Sequence, residues 1–363
     1  MKKLILILIL VGIGGWIWYF EAQKPDRSGD GEKRATSIEK MNKEEKQKVY
    51  DPAIELVDNQ RFINGEPFAL ADYIGKKVIL IDFWTYSCIN CQRTTPYLNA
   101  WWEKYKDKGL LIVGVHTPEF EFEKDYNNVL TAVQKFGIEY PVVQDNNYST
   151  WRAYGNRYWP RKYLIDIDGF IVYDHIGEGA YEETEMKIQE LLKERMVVLG
   201  EEGEVGGETV DVEGQRSQAA SPETYFGSAR NQNFGSGTSG QVGTFKFDEP
   251  KTPVLNSLYL SGDWQLTDEY AENISAGAKI TFKYNAKEVY FVASSNKEVK
   301  IKILQDGEPV GENAGVSISK ETSEGLVKDS QLYKLITNTK SGEHILEIII
   351  ENPGIRAFTF TFG

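Results

Sequence analysis

Cysteine is nearly missing from this chain. Its 363 residues hold two, Cys88 and Cys91. So low a count excludes a disulfide framework, and zinc held by this pair would need two further ligands. Histidine offers little help, since His116, His175 and His344 are scattered singly. No metal and no cofactor is expected. Positive charge is in deficit: 41 Lys and Arg stand against 54 Asp and Glu, a formal net charge of -13. That balance argues against a nucleic-acid partner. Long apolar runs are missing too, apart from Leu4 to Phe20 near the N-terminus. Apolar residues make up 41% of the chain, enough for globular cores. Its length suggests two or three domains.

What is present centres on Ile81-Asp-Phe-Trp-Thr-Tyr-Ser-Cys-Ile-Asn-Cys91. The apolar run Val78 to Trp84 reads as a buried strand. After the cysteines, Leu98, Trp101, Trp102 and Tyr105 recur at helical spacing, and Gly109 ends the segment. Cys88 is therefore expected at the N-terminus of a helix that leaves a central strand, where the helix dipole favours a thiolate. A second thiol one turn on can release whatever the first captures, which is dithiol–disulfide exchange. Two other readings stand beside it. The pair could be half of a zinc site, or a structural disulfide, whose short loop would restrain the unfolded chain little. His116 ends a second apolar strand on the same side, placed either to shift the thiolate or simply to pack.

Val78-Ile-Leu-Ile-Asp-Phe-Trp84 resembles the strand that enters a thioredoxin active site. The resemblance puts Asp82 at the buried carboxylate that takes or gives the proton of Cys91, and Pro96 at the proline inside the active-site helix. It makes Tyr158-Trp159-Pro160 the cis-proline turn facing the cysteines. Trp84-Thr-Tyr-Ser-Cys-Ile-Asn-Cys91, Gly114-Val-His-Thr-Pro-Glu119, Tyr158-Trp-Pro160 and His175-Ile-Gly-Glu-Gly179 together resemble a narrower family. These motifs are similar to the extracytoplasmic part of DipZ-type cytochrome c biogenesis proteins, relatives of the TlpA/ResA thiol–disulfide oxidoreductases. The likeness implies Cys88 as nucleophile, Cys91 as resolving thiol, and Trp159, Pro160, Trp84 and Tyr86 as substrate-contacting residues. It implies disulfide-bearing protein substrates, cytochrome c maturation as a setting, and a separate membrane electron donor of the CcdA/DsbD type. Ile-Asn between the cysteines does not settle whether the dithiol reduces or oxidises.

Lys2 and Lys3 precede the charge-free run, which at ~1.5 Å per residue spans roughly 25 Å. It ends in Trp16, Trp18 and Tyr19 rather than in the small residues of a cleavage site. Residues 1–20 are therefore read as a transmembrane signal anchor, with the rest outside the cell membrane. Residues 21–48 read as a flexible tether. Residues 49–199 read as the α/β thioredoxin-like redox domain, with a hairpin at Asn64-Gly65. Residues 200–243, rich in Gly, Glu and Ser, read as a flexible linker, broken by Ser221 to Phe226, which is expected to pack.

From 244 to 363 short runs alternate apolar with polar, separated by turn residues that include Asp306-Gly307 and Ser341-Gly342. This pattern predicts nine antiparallel strands in a jelly-roll sandwich. Trp264, Tyr259 and Tyr270 could give it a sugar-binding face. An envelope or glycan-binding protein with a structural C-x-x-C is the alternative function.

Overall fold

The computed structural model describes residues 41–57, 61–212 and 219–363. The expected anchor, and the tether up to residue 40, lie outside them. Among the described residues no helix is long and apolar enough to cross a membrane. Lys43–Lys46 forms one helical turn with a capping box, Asn42 and Glu45 each accepting from the other's backbone N–H at 3.1 and 3.0 Å. Pro52–Gly363 is one compact unit.

The first half runs β1 (Phe62–Ile63), β2 (Val78–Trp84), α1 (Ile89–Tyr105), β3 (Leu110–His116), α2 (Tyr126–Lys135), β4 (Val142–Gln144), α3 (Ser149–Ala153), β5 (Arg161–Ile165), β6 (Ile171–Ile176) and α4 (Tyr181–Leu199). The sheet order is β1-β4-β3-β2-β5-β6, with β2, β3 and β4 parallel and the rest antiparallel. All seven residues of β2 are buried, as a central strand covered on both faces requires. Alternation sends Ile79, Ile81 and Phe83 into one cluster with Trp151 and Tyr154, and Leu80, Asp82 and Trp84 to the opposite face. The Asn64-Gly65 turn does not close a hairpin. Asn64, at φ +61°, redirects the chain, and β1 pairs with distant β4 instead. The Asn64 amide donates to the carbonyl of Ile138 at 2.6 Å, which fixes that long-range choice.

The second half runs β7 (Thr224–Tyr225), β8 (Gly243–Phe247), β9 (Leu258–Leu266), β10 (Ala271–Asn273), β11 (Lys279–Ser295), β12 (Val299–Gln305), β13 (Glu308–Pro309), β14 (Glu324–Val327), β15 (Gln331–Ile350) and β16 (Ile355–Phe362). Its named strands all pair antiparallel, but it is not two separate jelly-roll sheets. Hydrogen bonds join ten strands into one sheet, order β13-β12-β15-β11-β16-β10-β9-β8, with β14 and β7 attached at its sides. The reason lies in three long strands. β11 pairs by its first part with β9 and by its second with β16, and its register against β15 shifts between Ala286 and Glu288. Such a shift bends a strand. Ser341-Gly342, expected as a turn, lies inside β15, with Gly342 opposite Ala286 at that bend. In β9 the change of partner falls at Gly262, which takes φ +91°. Asp306-Gly307 does turn, at φ +55° and +84°, between β12 and β13.

Residues 200–243 are not a free linker where they are described. Val205 is buried, and its carbonyl accepts from Lys108 at 2.9 Å. The Val210 N–H donates to buried Glu185 of α4 at 2.7 Å. Glu185 also accepts from Trp101 and Tyr105 of α1, so one carboxylate ties two helices to this strap. Phe226 and Phe234 enter the β core. Widely spaced apolar residues anchor a stretch whose overall composition reads as flexible. Trp264 is fully buried, its indole N–H donating to Ser261, and Tyr270 packs on Phe358. Trp264 is therefore core, while Tyr259 and Tyr270 are half-buried, so the three do not form one open face.

The halves meet through an aromatic cluster. Phe358 of β16 lies 5.1 Å from Phe120 and 4.8 Å from Phe122, ring centre to ring centre. Polar ties flank it: Tyr86 Oη donates to Ser330 at 3.2 Å, and Glu119 accepts from Tyr225 at 2.8 Å and pairs with Arg230 at 2.7 Å.

Candidate active site

Thr85-Tyr-Ser follows β2, and Cys88 is the N-cap of α1. First-turn N–H groups lack helical acceptors, so this position faces the positive end of the helix dipole. Both thiols are free; Cys88 is half-buried and Cys91 is 2% exposed. Burial, then the neighbouring Cys88 sulfur, pushes the Cys91 thiol well up. Pro96 sits inside α1, where its missing N–H leaves one carbonyl unused. That carbonyl is Gln92's; separately, Thr95 Oγ donates to the carbonyl of Cys91 at 3.0 Å.

The turn before β5 carries a cis Trp159–Pro160 bond. Cys88 Sγ lies 4.0 Å from the carbonyl oxygen of Trp159. The Trp159 side chain is turned away, its indole N–H donating to Thr117 at 3.0 Å and its ring 4.3 Å from Trp151. It is the backbone of Trp159 that meets the nucleophile. Trp84 and Tyr86 do not reach substrate space. Both are buried against His116, Trp84 edge-on at 5.1 Å and Tyr86 stacked at 5.7 Å between ring centres, and neither lines the cavity at Cys88. Aromatic residues beside a C-x-x-C read as a binding lip, but here Trp84 packs inside the redox half and Tyr86 reaches Ser330 at the joint with the β half.

Beneath the cysteines, burial raises Asp82 to about 7, while the Lys162 charge opposes that rise. Asp82 Oδ1 has no hydrogen-bond partner among the described residues. Asp82 faces Gly114 on β3, where a side chain would strike Trp84 and Tyr140 at 3.0 and 3.2 Å. On its other flank the cross-strand partner is Lys162, fully buried, donating to Gly177 at 3.2 Å. Sequence reasoning missed Lys162, because in Arg161-Lys-Tyr-Leu-Ile165 nothing sets it apart from the arginine beside it. His116 is neutral, held down to about 3 by burial, and so supplies no charge to Cys88. Glu123, also missed, is a buried carboxylate raised to about 7 by burial and by Glu119. It accepts from Ser87 Oγ at 2.6 Å and from the Phe120 N–H at 3.0 Å, pinning the residue before Cys88.

A cavity of about 500 Å³ opens on Cys88. Trp159, Tyr158 and Glu119 line one side; Ser221, Glu223, Tyr225, Arg230, Thr361 and Phe362 line the other. Glu178 also lines it, 3.6 Å from Arg93 of α1, which gives this family-like position a place.

A half-buried thiol that opens on a cavity and a hidden one a helical turn away, both free and on a thioredoxin-like sheet, define a dithiol oxidoreductase. Comparison with known proteins specifies which kind. Residues 50–174 match the AhpC/TSA family and residues 221–363 the family described as thioredoxin-like C-terminal domain. The chain is 33% identical over 123 residues to the thiol–disulfide oxidoreductase ResA of Bacillus thuringiensis, covering 34% of this chain and 68% of ResA. It is 29% identical over 147 residues to the thiol–disulfide oxidoreductase YkuV of Bacillus subtilis, covering 40% of this chain and 98% of YkuV. It is 37% identical over 299 residues to protein DipZ of Mycobacterium tuberculosis, covering 82% of this chain. The chain belongs to the thiol–disulfide oxidoreductase family of ResA, and it is DipZ-like in joining a thioredoxin-like half to a C-terminal β-rich half. It spans about two fifths of the length of the DipZ proteins it matches, 40% of each.

Proposed function

We propose that Cys88 and Cys91 exchange electrons with protein disulfides outside the cytoplasm, on a chain held to the membrane by residues 1–20. One observation carries the chemistry: Cys88 opens on a cavity beside the Trp159 carbonyl, while Cys91 is sealed behind it. The Cys88 thiolate attacks one sulfur of a substrate disulfide. A mixed disulfide forms, and the other substrate sulfur leaves as a thiolate. Cys91 then gives up its proton, for which Asp82 is the acceptor, and attacks the Cys88 sulfur. The Cys88–Cys91 disulfide forms, the second substrate sulfur departs, and two electrons have passed to the substrate. Trp159 and Pro160 shape the groove in which the substrate strand lies.

Likeness to DipZ supports apocytochrome c as a client and a separate membrane protein of the CcdA/DsbD type as electron donor. The reduction potential tests the direction. A value near about -270 mV fits a reductase, whereas one near about -120 mV would make the protein an oxidant and overturn that direction. Cell fractionation with and without residues 1–20 tests the anchor: the full chain should sediment with membranes and the truncated chain should not.

A further inference from the structure

The β half contributes as much of the wall around Cys88 as the redox half does, and this bears on which disulfides can enter. We propose that the β domain narrows the redox centre to a recess that admits an extended, disulfide-bearing polypeptide segment and turns away the same disulfide in a folded protein. The inference rests on the oxidoreductase reading above.

Size comes first. A volume of about 500 Å³ is that of a small-ligand pocket. Docking a folded protein takes a face of roughly 800 Å² per partner. The far wall, from Ser221 to Arg230 with Thr361 and Phe362, stands where such a face would have to lie. That wall is fixed. Thr224 and Tyr225 are hydrogen-bonded to β16 as a strand. Arg230 lies 3.7 Å over the Tyr225 ring, and both residues hold Glu119 on the redox side. Phe358 packs on Phe120 and Phe122 behind them. A wall tied by ion pair, hydrogen bonds and stacked rings is part of the fold rather than a lid.

The rim suits a single strand. Tyr158 is 49% exposed beside Trp159, a flat ring that can cover a passing main chain while its hydroxyl stays wet. Charge along the recess is mixed, with Glu119, Glu178 and Glu223 standing among Arg157 and Arg230, so it selects the guest weakly. Width is what remains.

The test uses the full reduced chain and one disulfide in two forms: in a folded protein that exposes it, and in a peptide pair cut from that protein. A small aromatic disulfide reagent reports whether Cys88 reacts at all. We expect the peptide to be reduced about 100-fold faster than the folded form, since a misfit of about 1 Å costs that much. Equal rates for the two forms, with the reagent reacting normally, would overturn the recess while leaving the oxidoreductase reading intact. If the reagent, the peptide and the folded form all go unreduced, the oxidoreductase reading falls and takes the inference with it. Two variants sharpen the result. Arg230→Ala loosens the wall and should move the rate ratio toward the folded substrate by about tenfold; Thr361→Trp fills the recess and should slow the peptide by about tenfold. An unchanged ratio in a folded Arg230→Ala chain, together with an unchanged peptide rate in Thr361→Trp, counts against the proposal.

Discussion

Asp82 and Lys162 are cross-strand partners on β2 and β5, both buried beneath the cysteine pair, and the Asp82 oxygen Oδ1 takes no hydrogen bond among the described residues. A carboxyl and an amine buried together can rest as a neutral or a charged pair, and small changes decide which. Asp82→Asn should therefore slow release of the mixed disulfide by about 100-fold while leaving its formation nearly unchanged. The release rate should rise with pH around 7 in the parent, following Asp82, and lose that limb in the variant. Lys162→Met removes the charge that lowers Asp82, so the limb should move to higher pH. Rapid-quench trapping of the mixed disulfide from pH 5 to 9 reads all three outcomes.

The same carboxyl sets a stability trend. Its folded value of about 7 lies above the ordinary carboxylate range near 4. The folded state thus holds the proton more tightly than the unfolded chain. The stability this contributes is fully present below about pH 4 and is lost as pH rises to about 7. Asp82→Asn should leave stability near pH 4 little changed and raise it at pH 8 by up to about 4 kcal/mol. Denaturant midpoints at the two pH values check the sign.

Glu123 accepts from Ser87 and from the Phe120 N–H, all in a buried loop. Glu123→Ala strands these donors and should cost about 2–4 kcal/mol. Glu123→Gln keeps the acceptor oxygen and should cost less. It should also remove the share of the pH dependence between about 4 and 7 that this carboxyl adds with the same sign as Asp82. Urea titrations of the three proteins give the comparison.

Cys88 is half-buried and Cys91 sealed. Under native conditions a bulky alkylating reagent should label Cys88 at least 100-fold faster than Cys91, with both reacting in denaturant. Cys91→Ser should accumulate mixed disulfides with substrate, and Cys88→Ser should form none. Peptide mass mapping after timed quenching decides the order of reaction.

Phe358 is 2% exposed between Phe120 and Phe122. Phe358→Ala should destabilise the unit by about 3–5 kcal/mol and loosen the two halves from each other. Calorimetry should then show a broadened or split transition where the parent shows one.

The redox centre was legible because its chemistry is local. Cys88 and Cys91 lie within one strand-to-helix segment, and Trp159-Pro160 sits just before its strand, so short motifs carried both. Lys162 was not legible, since only the pairing of β2 with β5 sets it against Asp82. The β half misled at Ser341-Gly342, because small residues that make a turn also permit a bend inside a continuous strand. Ser221 to Phe226 packs as expected, but the rest of residues 200–243 misled because anchors such as Val205 and Phe234 outweigh a flexible composition. Trp84 and Tyr86 misled because a motif gives proximity along the chain but not which way a ring faces.

Phe120 and Phe122 belong to the redox half, yet their cover is Phe358. A thioredoxin-like fragment cut away near residue 200 would leave both rings wet and its nucleophile unroofed. Turnover recorded on such a fragment would describe a stickier and more permissive catalyst than the intact chain, and screens run on it would report clients the whole protein never meets.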